Sequence, residues 1–453
     1  MIQDELHLIA GPLGTMVGLY ETAVDRLMSW EIDGKNVRPK VIASTATVRQ
    51  AGDQVHRLFL RRVQVFPPPG LDVEDNFFAR EREPNPEEPG LLYLGVCAPG
   101  RRLKAVLIRV YVAYLAAAQV LYVKYDTHAD PWMTLVGYLN AMQELAGMRR
   151  LCEDDIRTRL GKTDRRGLAT RRLGPESIQE LTSRLAGTEI PAKLDAMERV
   201  FSQAEEARRR KRDKSAKPRP IDVLLATNMI SVGVDVRRLG LMVVAGQPKT
   251  TAEYIQATSR VGRATPGIVC TVYNWARPRD LSHYERFEHY HASFYRFVEA
   301  LSVTPFAPRA RDRGLSALLV SLIRDAELKM NPNGAAQELD RSSELVAAAV
   351  AAIATRASEV QTDAQLAKLV EDELDTRLDG WLARAQQALK TGARLGYQDA
   401  RDSDTVGLLQ RPTPAGWDMF TALNSLRDVE PTVGLLQEGA LFPGAEDSGA
   451  DAD

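Results

Sequence analysis

The chain has 453 residues, 44% of them hydrophobic and 26% charged, which is enough for about two to four globular domains. Its formal net charge of -1 neither requires nor excludes binding to nucleic acid, so any such binding must use local basic patches. Cys97, Cys152 and Cys270 are far apart and form no C-x-x-C pair. This spacing excludes a zinc-finger pattern and a disulfide framework, and it favours a reducing cytoplasm.

Residues 1–66 have the pattern of part of an α/β domain. Leu19–Trp30 is predicted to be an amphipathic helix, Lys40–Ser44 a short apolar strand and Gln50–Leu60 a second helix. Residues 67–90 are rich in proline and polar side chains, so they are predicted to be a connector. The acidic residues at the start of the chain, with no basic segment before an apolar run, do not fit a secretory signal.

Apolar runs alternate with helical patterns over residues 91–280, which predicts a parallel sheet with helices on both faces. The predicted strands are Leu91–Cys97, Met133–Gly137, Ile221–Ala226, Leu241–Ala245 and Ile268–Tyr273, and the predicted helices are Arg101–Val123 and Asn140–Leu151. The first helix is long enough to cross a membrane, but Arg109 and Gln119 interrupt it. We therefore expect a buried helix of a soluble protein and no membrane partner. Its core face is expected to comprise Leu103, Val106, Leu107, Val110, Tyr114, Ala117 and Leu121.

A charge-rich stretch, residues 155–220, interrupts this domain. Its basic run Glu205–Pro220 is compatible with a solvated loop and also with an arm that contacts phosphates. Within the stretch, Gly161-Lys162-Thr163 matches the end of a phosphate loop. No glycine lies five residues before Gly161, so the string is not expected to bind phosphate.

The remainder of the chain is predicted to be helical over residues 281–440. Ser343 and Asp363 precede alanine- and leucine-rich segments and are predicted to be helix N-caps. The acidic tail, residues 441–453, is predicted to be disordered.

Two short polar strings in the first block contain residues suited to nucleotide chemistry. In DELH, Asp4 could hold Mg²⁺ largely through water, and Glu5 could orient and deprotonate an attacking water. In STAT, the hydroxyls of Thr45 and Thr47 could relay hydrogen bonds from a nucleotide site. The structural alternatives are an acidic surface turn and a capped strand-to-helix turn.

A third string follows the strand predicted to end at Ala226. Thr227 and Asn228 would lie at the carboxyl end of that strand, where doubly wound sheets place their ligands. Gly233 permits a tight backbone turn. Asp235 could accept a ribose hydroxyl or bond to a neighbouring lobe, or it could cap a helix or turn.

The fourth string, QATSRVGR, contains Gln256, Arg260 and Arg263. Spacings of four and three residues would keep these side chains adjacent on one helix and the turn after it. Two guanidinium groups there could stabilise the charge that develops on a phosphate. The structural alternative is a surface helix with salt bridges.

These strings occur in the order and spacing of superfamily 2 helicase motifs, and the chain resembles that family. DELH resembles the DExH box, motif II, and Thr45-Ala46-Thr47 resembles motif III. Thr227–Asp235 resembles motif V and Gln256–Arg263 motif VI, while Met133–Leu145 lies where motif IV belongs. Within that family, the chain is most similar to the helicase-like protein of the bacterial DISARM antiphage system. The similarity lies in the strings QDELHLIAGPLGT, ATNMISVGVDV, YIQATSRVGR and NSLRDVEP.

The resemblance implies an α/β fold of tandem RecA-like lobes, the first one partial, followed by a helical C-terminal region. It implies an ATP-dependent helicase or translocase, directed at nucleic acid and specifically DNA, in cytoplasmic antiphage defence. ATP and Mg²⁺ would be its cofactors, and other subunits of the defence system its partners. The catalytic residues would be Asp4, also the metal ligand, with Glu5, Gln256, Arg260 and Arg263. The nucleotide-binding residues would be His7, Thr45, Thr47, Gly233 and Asp235, and the strand-facing residues Thr227, Asn228, Lys249 and Thr250.

The sequence departs from the helicase pattern at its start. Helicases of this kind hold ATP with G-x-x-x-x-G-K-[ST] before the DExH box. Here three residues precede Asp4, so the strand that delivers DELH and the phosphate loop are both expected to be missing. We therefore expect little ATP hydrolysis by the chain alone. A late start codon, a partner chain carrying the phosphate loop and a degraded gene are the three explanations.

Two other functions are compatible with the same residues. The main alternative is a non-catalytic subunit that binds nucleic acid or acts as a scaffold within a defence complex. A third is an ATPase that remodels protein complexes without unwinding a duplex. Strand displacement on a tailed duplex separates translocation from scaffolding.

Overall fold

The computed structural model describes residues 1–45, 51–68, 77–78, 85–87, 89–182, 189–227, 235–300, 302–400, 404–412, 417–423 and 426. The chain packs into two compact units. The terminal unit combines Met1–Gln64 with Ala300–Asp453, and the sheet unit comprises Val65–Glu299. The sequence suggests separate blocks at the two ends of the chain, whereas the structure gathers them in one unit. The segment boundaries given above remain predictions.

The first part of the terminal unit contains short strands around two helices. Its elements are β1 (Ile2–Gln3), α1 (Gly11–Leu27), β2 (Trp30–Ile32), β3 (Lys35–Val37), β4 (Ile42–Ala43) and α2 (Ala51–Phe59). β1 pairs in parallel with β4, and the amide of Ser44 donates to the carbonyl of Gln3 at 2.9 Å. The expectation that no strand precedes Asp4 is therefore wrong. Two residues suffice because the backbone of β4 supplies their hydrogen-bond partners.

The predicted helix at Leu19–Trp30 is displaced in the structure. α1 begins at Gly11, with Pro12 in its first turn, and it ends at Leu27. Trp30 instead belongs to a hairpin, in which β2 and β3 pair antiparallel around Asp33 and Gly34. Both turn residues have positive φ, 50° and 71°, as expected for the Asp-Gly pair of a tight hairpin. The Asp-Gly pair is the local sequence signal for this hairpin, to which Trp30 belongs.

Six strands form one parallel sheet in the described part of the sheet unit, in the order β5-β10-β9-β6-β8-β7. These strands are β5 (Leu91–Cys97), β6 (Leu135–Leu139), β7 (Ile178–Leu181), β8 (Val223–Ala226), β9 (Leu241–Ala245) and β10 (Gly267–Tyr273). The helices are α3 (Leu103–Tyr125), α4 (Asp130–Met133), α5 (Met142–Leu151), α6 (Arg157–Leu160), α7 (Ile190–Met197), α8 (Gln203–Arg210), α9 (Thr251–Thr258), α10 (Pro278–Glu285) and α11 (Phe287–Ala292). β8 and β9 are wholly buried, which explains their continuous apolar sequences. The predicted α/β class, with a RecA-like parallel sheet, is confirmed.

The charged stretch 155–220 contributes to the sheet. Its segment β7 forms an edge strand in which Ile178 and Leu181 are buried, a role that its mixed polar sequence does not reveal. The basic run folds against itself, because Glu205 accepts hydrogen bonds from Arg208 and from the amide of Lys217 at 2.8 and 2.9 Å. These contacts favour the solvated-surface interpretation of the run.

Helix α3 packs against the sheet and is a core helix of this unit. In the described part of the chain, Leu103–Met133 is one helical stretch long and apolar enough to cross a membrane, and half of its most apolar window is buried. Its buried residues are Val106, Leu107, Ile108, Tyr111, Val112, Leu115, Ala116, Ala118 and Tyr122. The predicted core face is thus right at Val106 and Leu107. It is wrong at Ala117 and at Leu121, which are both exposed, Leu121 at 41%. Because alanines occur on several sides of this helix, its sequence has several faces of similar hydrophobicity, and the pattern does not single out one of them.

The second part of the terminal unit is mostly helical. It contains α12 (Pro308–Ala326), α13 (Glu344–Gln361), α14 (Ala364–Lys390), β11 (Arg394–Gly396) and β12 (Thr405–Gly407). The predicted caps are confirmed, since Ser343 accepts from the amide of Val346 and Asp363 from that of Gln365. α1 and α12 approach closely at Gly314, where a Cβ would lie 2.6 Å from Leu19. The acidic tail lies outside the described residues.

Candidate nucleotide and nucleic-acid site

Asp4 lies directly after β1, beside Ser44 at the end of β4. Its Oδ1 accepts a hydrogen bond from the amide of Glu5 at 2.9 Å and another from the hydroxyl of Ser44. The Ser44 hydroxyl and then the Glu5 amide lower the pKa of the Asp4 carboxyl. Asp4 is therefore an exposed, ionised carboxylate at neutral pH.

The surroundings of Asp4 fit a weakly held divalent cation. Mg²⁺ commonly binds through one or two carboxylates, with water and substrate phosphates completing its shell. An exposed carboxylate with Glu5 beside it meets this requirement. Among the described residues no group of three or more His, Cys, Asp and Glu side chains converges, so a protein-only metal cage is not formed there.

Glu5 and His7 of the DELH string are connected to Thr45 of the STAT string. Glu5 adopts a left-handed conformation, φ 52° and ψ 47°, before a short 3₁₀ turn at Leu6–Leu8. Nε2 of the buried His7 lies 3.5 Å from Oε2 of Glu5, and Nδ1 lies 3.2 Å from the hydroxyl of Thr45. The structure thus brings three predicted site residues into one chain of contacts. Thr47 lies outside the described residues.

Asp235 and Arg263 are paired within the sheet unit. Arg263 Nη1 donates to Asp235 Oδ1, and Arg263 Nε donates to the carbonyl of Ser259 at 3.0 Å. Residues of motifs V and VI that are far apart in sequence therefore meet. Both side chains remain partly accessible, which leaves the guanidinium able to contact a phosphate. Gly233 lies outside the described residues.

Arg260 and Arg263, the two arginines of the fourth string, come directly after helix α9. Helix α9 ends at Thr258, whose hydroxyl bonds back to the carbonyl of Tyr254 at 2.8 Å. Gly262, with φ of +76°, then reverses the chain. Arg260 and Arg263 therefore lie in a turn, and only the buried Gln256 is on the helix. The sequence predicts these residues on one helix and the turn after it; in the structure the helix contains Gln256 and the turn contains both arginines.

The predicted strand-facing residues differ in their roles. Lys249 is exposed in the loop after β9, whereas Thr250 is the N-cap of α9 and accepts a hydrogen bond from the amide of Glu253 at 3.1 Å. Thr227 is buried at the end of β8. Asn228 lies outside the described residues. Since β8 and β9 are parallel strands of one sheet, Thr227 and Lys249 lie at the same edge.

Comparison with known proteins gives a family match in this region. The helicase conserved C-terminal domain family matches residues 192–265, which include motifs V and VI. The chain is 48% identical over 327 residues to the DISARM protein DrmA of Bacillus paralicheniformis. The predicted resemblance to superfamily 2 helicases is confirmed. The match covers 72% of this chain and 28% of DrmA, so the matched part of the chain spans under a third of that relative's length.

Solved structures of helicases overlap with the chain in part. The DUF1998 helicase MrfA bound to DNA is 14% identical, with a TM-score of 0.45, and the overlap covers 73% of this chain and 37% of MrfA. The Mycobacterium smegmatis helicase Lhr bound to ssDNA and AMP-PNP is 16% identical, with a TM-score of 0.41. That overlap covers 79% of this chain and 36% of Lhr.

Two buried polar residues hold segments beside the predicted site residues, and neither belongs to one of the four strings. Gln54, on α2, donates from Nε2 to the carbonyls of Leu6 and Ile9 at 3.0 and 2.9 Å and thereby holds the turn after DELH. Asp280, on α10, accepts from the amides of Gln247 and Asn274 at 3.2 and 2.9 Å and joins two loops at the carboxyl edge of the sheet. For Gln54 a signal existed, because it is a polar residue beside Val55 and Leu58 on the apolar face of its helix.

Proposed function

We propose that the chain is part of an ATP-dependent DNA helicase or translocase that acts in cytoplasmic antiphage defence. The DISARM protein to which it is similar supports the defence role, and the helicase domain match supports the chemistry. The partners proposed on the same basis are DNA and other subunits of the defence system. The isolated chain is proposed to hydrolyse ATP poorly, because its 453 residues include no G-x-x-x-x-G-K-[ST] string.

In this proposal the terminal unit supplies the groups that act on water and metal. Asp4 would hold Mg²⁺, which neutralises charge on the phosphates when ATP is bound. Glu5 would orient the attacking water and accept its proton. His7 and Thr45 would position the Glu5 carboxylate through the contacts described above, and Thr47 would extend that relay.

The sheet unit would supply positive charge and a backbone-binding edge. Arg263 and Arg260 would contact nucleotide phosphates, with Asp235 orienting Arg263 and Gln256 supporting the turn. Lys249 and Asn228 would face the nucleic acid strand. Thr250 would act by fixing the start of α9, and the buried Thr227 would support the end of β8. Contacts of this kind are mainly to phosphates, so binding should depend strongly on salt and only slightly on base sequence.

The observation that carries the proposal is pairwise contact between motif residues that are distant in sequence. Asp4 meets Ser44, His7 meets Thr45, and Asp235 meets Arg263. If the four strings were chance matches, there would be no reason for these distant residues to contact one another in the folded chain. The contacts therefore support a nucleotide-dependent enzyme over the alternative that the four sequence matches are unrelated.

The test is strand displacement from a tailed DNA duplex, with the chain alone and with a separately supplied polypeptide that carries the phosphate loop. We expect DNA binding in both cases and ATP-dependent displacement only in the second. Arg263→Ala should reduce that turnover by about a thousandfold or more while binding of DNA persists. Glu5→Gln should act similarly, and Glu31→Gln, an exposed carboxylate of the same unit, is the control.

Two results would contradict parts of the proposal. ATP hydrolysis by the chain alone that is stimulated by DNA and abolished by Glu5→Gln would overturn its dependence on a partner. DNA binding with no response to ATP, even with the phosphate loop supplied, would identify a scaffold subunit instead.

A further inference from the structure

The carboxyl edge of the sheet has an exposed basic and aromatic surface beside the predicted strand-facing residues. We call it the Trp275 surface, and it comprises Arg101, Arg102, Lys104 and Trp275. The loop after β5 contains the first two arginines, and the loop after β10 contains Trp275. β5 and β10 are adjacent parallel strands, so both loops lie at one edge. The indole Nε1 of Trp275 donates to the carbonyl of Arg101 at 2.9 Å and joins the two loops.

The charge of this surface is unbalanced. No acidic residue occurs from Leu91 to Tyr125, although the whole chain has 60 acidic and 59 basic residues. Arg101, Arg102 and Lys104 are exposed and form no ion pair within the described part of the chain. They surround the first turn of α3, which contains no acidic residue. Cations at the N-terminal end of a helix interact unfavourably with its dipole, so a contribution to helix stability does not explain these three residues.

Trp275 is presented on a fixed loop. Its side chain is 41% exposed, while its backbone neighbours are held in place. The Asn274 amide donates to the buried Asp280, and the Asn274 side chain accepts from the amide of Ala276 at 3.1 Å. An aromatic ring that is already ordered loses little conformational entropy on binding. The loop is therefore suited to hold a flat ligand against the ring.

The position of the surface extends the proposed strand path. Along the edge, the loops follow the order of the strands, with Arg101 after β5, Trp275 after β10, Lys249 after β9 and Thr227 after β8. Strands lie about 4.8 Å apart, so the four steps from β5 to β8 span about 19 Å. This distance is sufficient for several nucleotides of an extended strand.

We infer that single-stranded nucleic acid continues from Lys249 onto the Trp275 surface, where Trp275 stacks on a base and Arg101 and Arg102 contact phosphates. The inference rests on the proposed function and adds a binding zone to it. Stacking on an aromatic ring beside cations is the general means of gripping single strands without reading their sequence. An acidic polypeptide would be attracted by the same cations but would not require the aromatic ring.

The first test compares Trp275→Leu, which keeps an apolar side chain, with Trp275→Phe, which keeps a ring. Binding of a labelled oligo(dT) to the full chain is measured by fluorescence anisotropy. Trp275→Leu should weaken binding by about 5- to 150-fold, the range for removal of one base stack, and Trp275→Phe should remain within about threefold. Trp30→Leu is the matched control, because Trp30 is also exposed, at 53%, but lies in the β2 hairpin. Circular dichroism melts establish that each variant is folded.

The second test measures the dependence of affinity on salt. Replacing both Arg101 and Arg102 by Ala should lower the slope of log K against log salt by about 1.4, or about 0.7 for each phosphate that the variant no longer neutralises. The control replaces Arg210 and Lys211, exposed at the end of α8, by Ala. An unchanged slope is expected there. Oligo(U) of the same length shows whether the surface prefers RNA or DNA.

The outcomes separate this inference from the proposed function. Wild-type chain that binds no single strand would overturn both. Wild-type binding that Trp275→Leu leaves unchanged would overturn the Trp275 surface alone. Equal weakening of oligo(dT) binding by Trp275→Leu and Trp275→Phe would indicate charge attraction without base stacking. Equal competition by polyglutamate for the wild type and for Trp275→Leu would indicate the same.

Discussion

At the scale of single residues, conformation and burial decide roles that residue type leaves open. Gly262 is required by the backbone, since it has φ of +76° and an added Cβ would lie 3.0 Å from Gly267 and 3.1 Å from Leu91. Its neighbour Arg263 owes its pairing with Asp235 to that turn. The sequence predicts a turn after the helix, but the letters R-V-G-R do not reveal the pairing of Arg263 with Asp235.

Gly262→Ala should lower the free energy of unfolding of the sheet unit by about 2–3 kcal/mol, since both left-handed strain and steric contact are introduced. Gly167→Ala is the matched control, because Gly167 has φ of +72° but no atom within 4 Å of an added Cβ. It should cost about 1 kcal/mol. Urea denaturation measures both, and equal destabilisation would show that the close approach to Gly267 is not limiting.

Glu21 is a buried carboxylic acid on α1, 8% exposed, and should make stability depend on pH. Burial is the largest cause that raises its pKa; Arg356 and Arg61 lower it, Asp25 raises it, and the net result is a shift from 4.5 to about 7. The folded chain thus keeps the proton up to about pH 7, whereas the unfolded chain releases it near pH 4.5. Stability from this group is complete below pH 4.5 and is lost as the pH rises through about 7.

Glu21→Gln should therefore be more stable than wild type at pH 8, by on the order of 1–3 kcal/mol, and equal to it near pH 4.5. Guanidinium denaturation at the two pH values measures the difference. Glu31→Gln, which removes an exposed carboxylate, should show no such change. A constant difference for Glu21→Gln at both pH values would contradict the titration.

At the scale of elements, helix ends separate structural from binding roles. Helix α9 begins at a capping threonine and ends at a threonine that bonds back to its own turn. The caps of α13 and α14 follow the same chemistry and were predictable, because Ser343 and Asp363 each precede a long apolar pattern. Thr250 follows the exposed Lys249, yet its hydroxyl accepts a hydrogen bond from the amide of Glu253 and thereby caps α9.

Thr250→Ala should reduce stability by about 1 kcal/mol, and Thr250→Ser should restore it, because the hydroxyl caps α9. Lys249→Ala should leave stability unchanged and should lower the salt slope of single-strand binding by about 0.7. Thermal melts and anisotropy titrations measure these two effects. Weaker DNA binding by Thr250→Ala without a drop in stability would return Thr250 to the strand-facing set.

At the scale of the whole molecule, the chain has two units with separate hydrophobic cores. Leu319 and Leu225 are fully buried in the terminal unit and in the sheet unit, respectively. Because each unit has its own core, we expect unfolding in more than one transition. The terminal unit depends on both ends of the chain, since α1 packs against α12 around Gly314.

Leu319→Ala should destabilise the terminal unit by about 2–5 kcal/mol, and Leu225→Ala should do the same to the sheet unit. Hydrogen exchange followed by mass spectrometry assigns each destabilisation to its peptides. Each substitution serves as the control for the other. Equally reduced protection in both units after either substitution would indicate one cooperative structure.

The sequence by itself determined the class of the fold and most elements of the sheet. Continuous apolar runs such as Leu241–Ala245 predict buried parallel strands because both faces of such strands are covered. The order of four short motifs determined the helicase resemblance, since residue type and spacing are properties of the chain alone. The same local chemistry determined the N-caps at Ser343 and Asp363.

Only the tertiary structure decided the edge strand β7, the two-residue strand β1 and the pairings of the motif residues. The edge strand Ile178–Leu181 has two buried and two partly buried residues and lacks a strong sequence pattern, so its partner strand β8 defines it. β1 exists because β4 lies beside it, and Asp235 meets Arg263 because Gly262 turns the chain. These features depend on contacts between distant segments, whose free energy is not encoded in any local stretch.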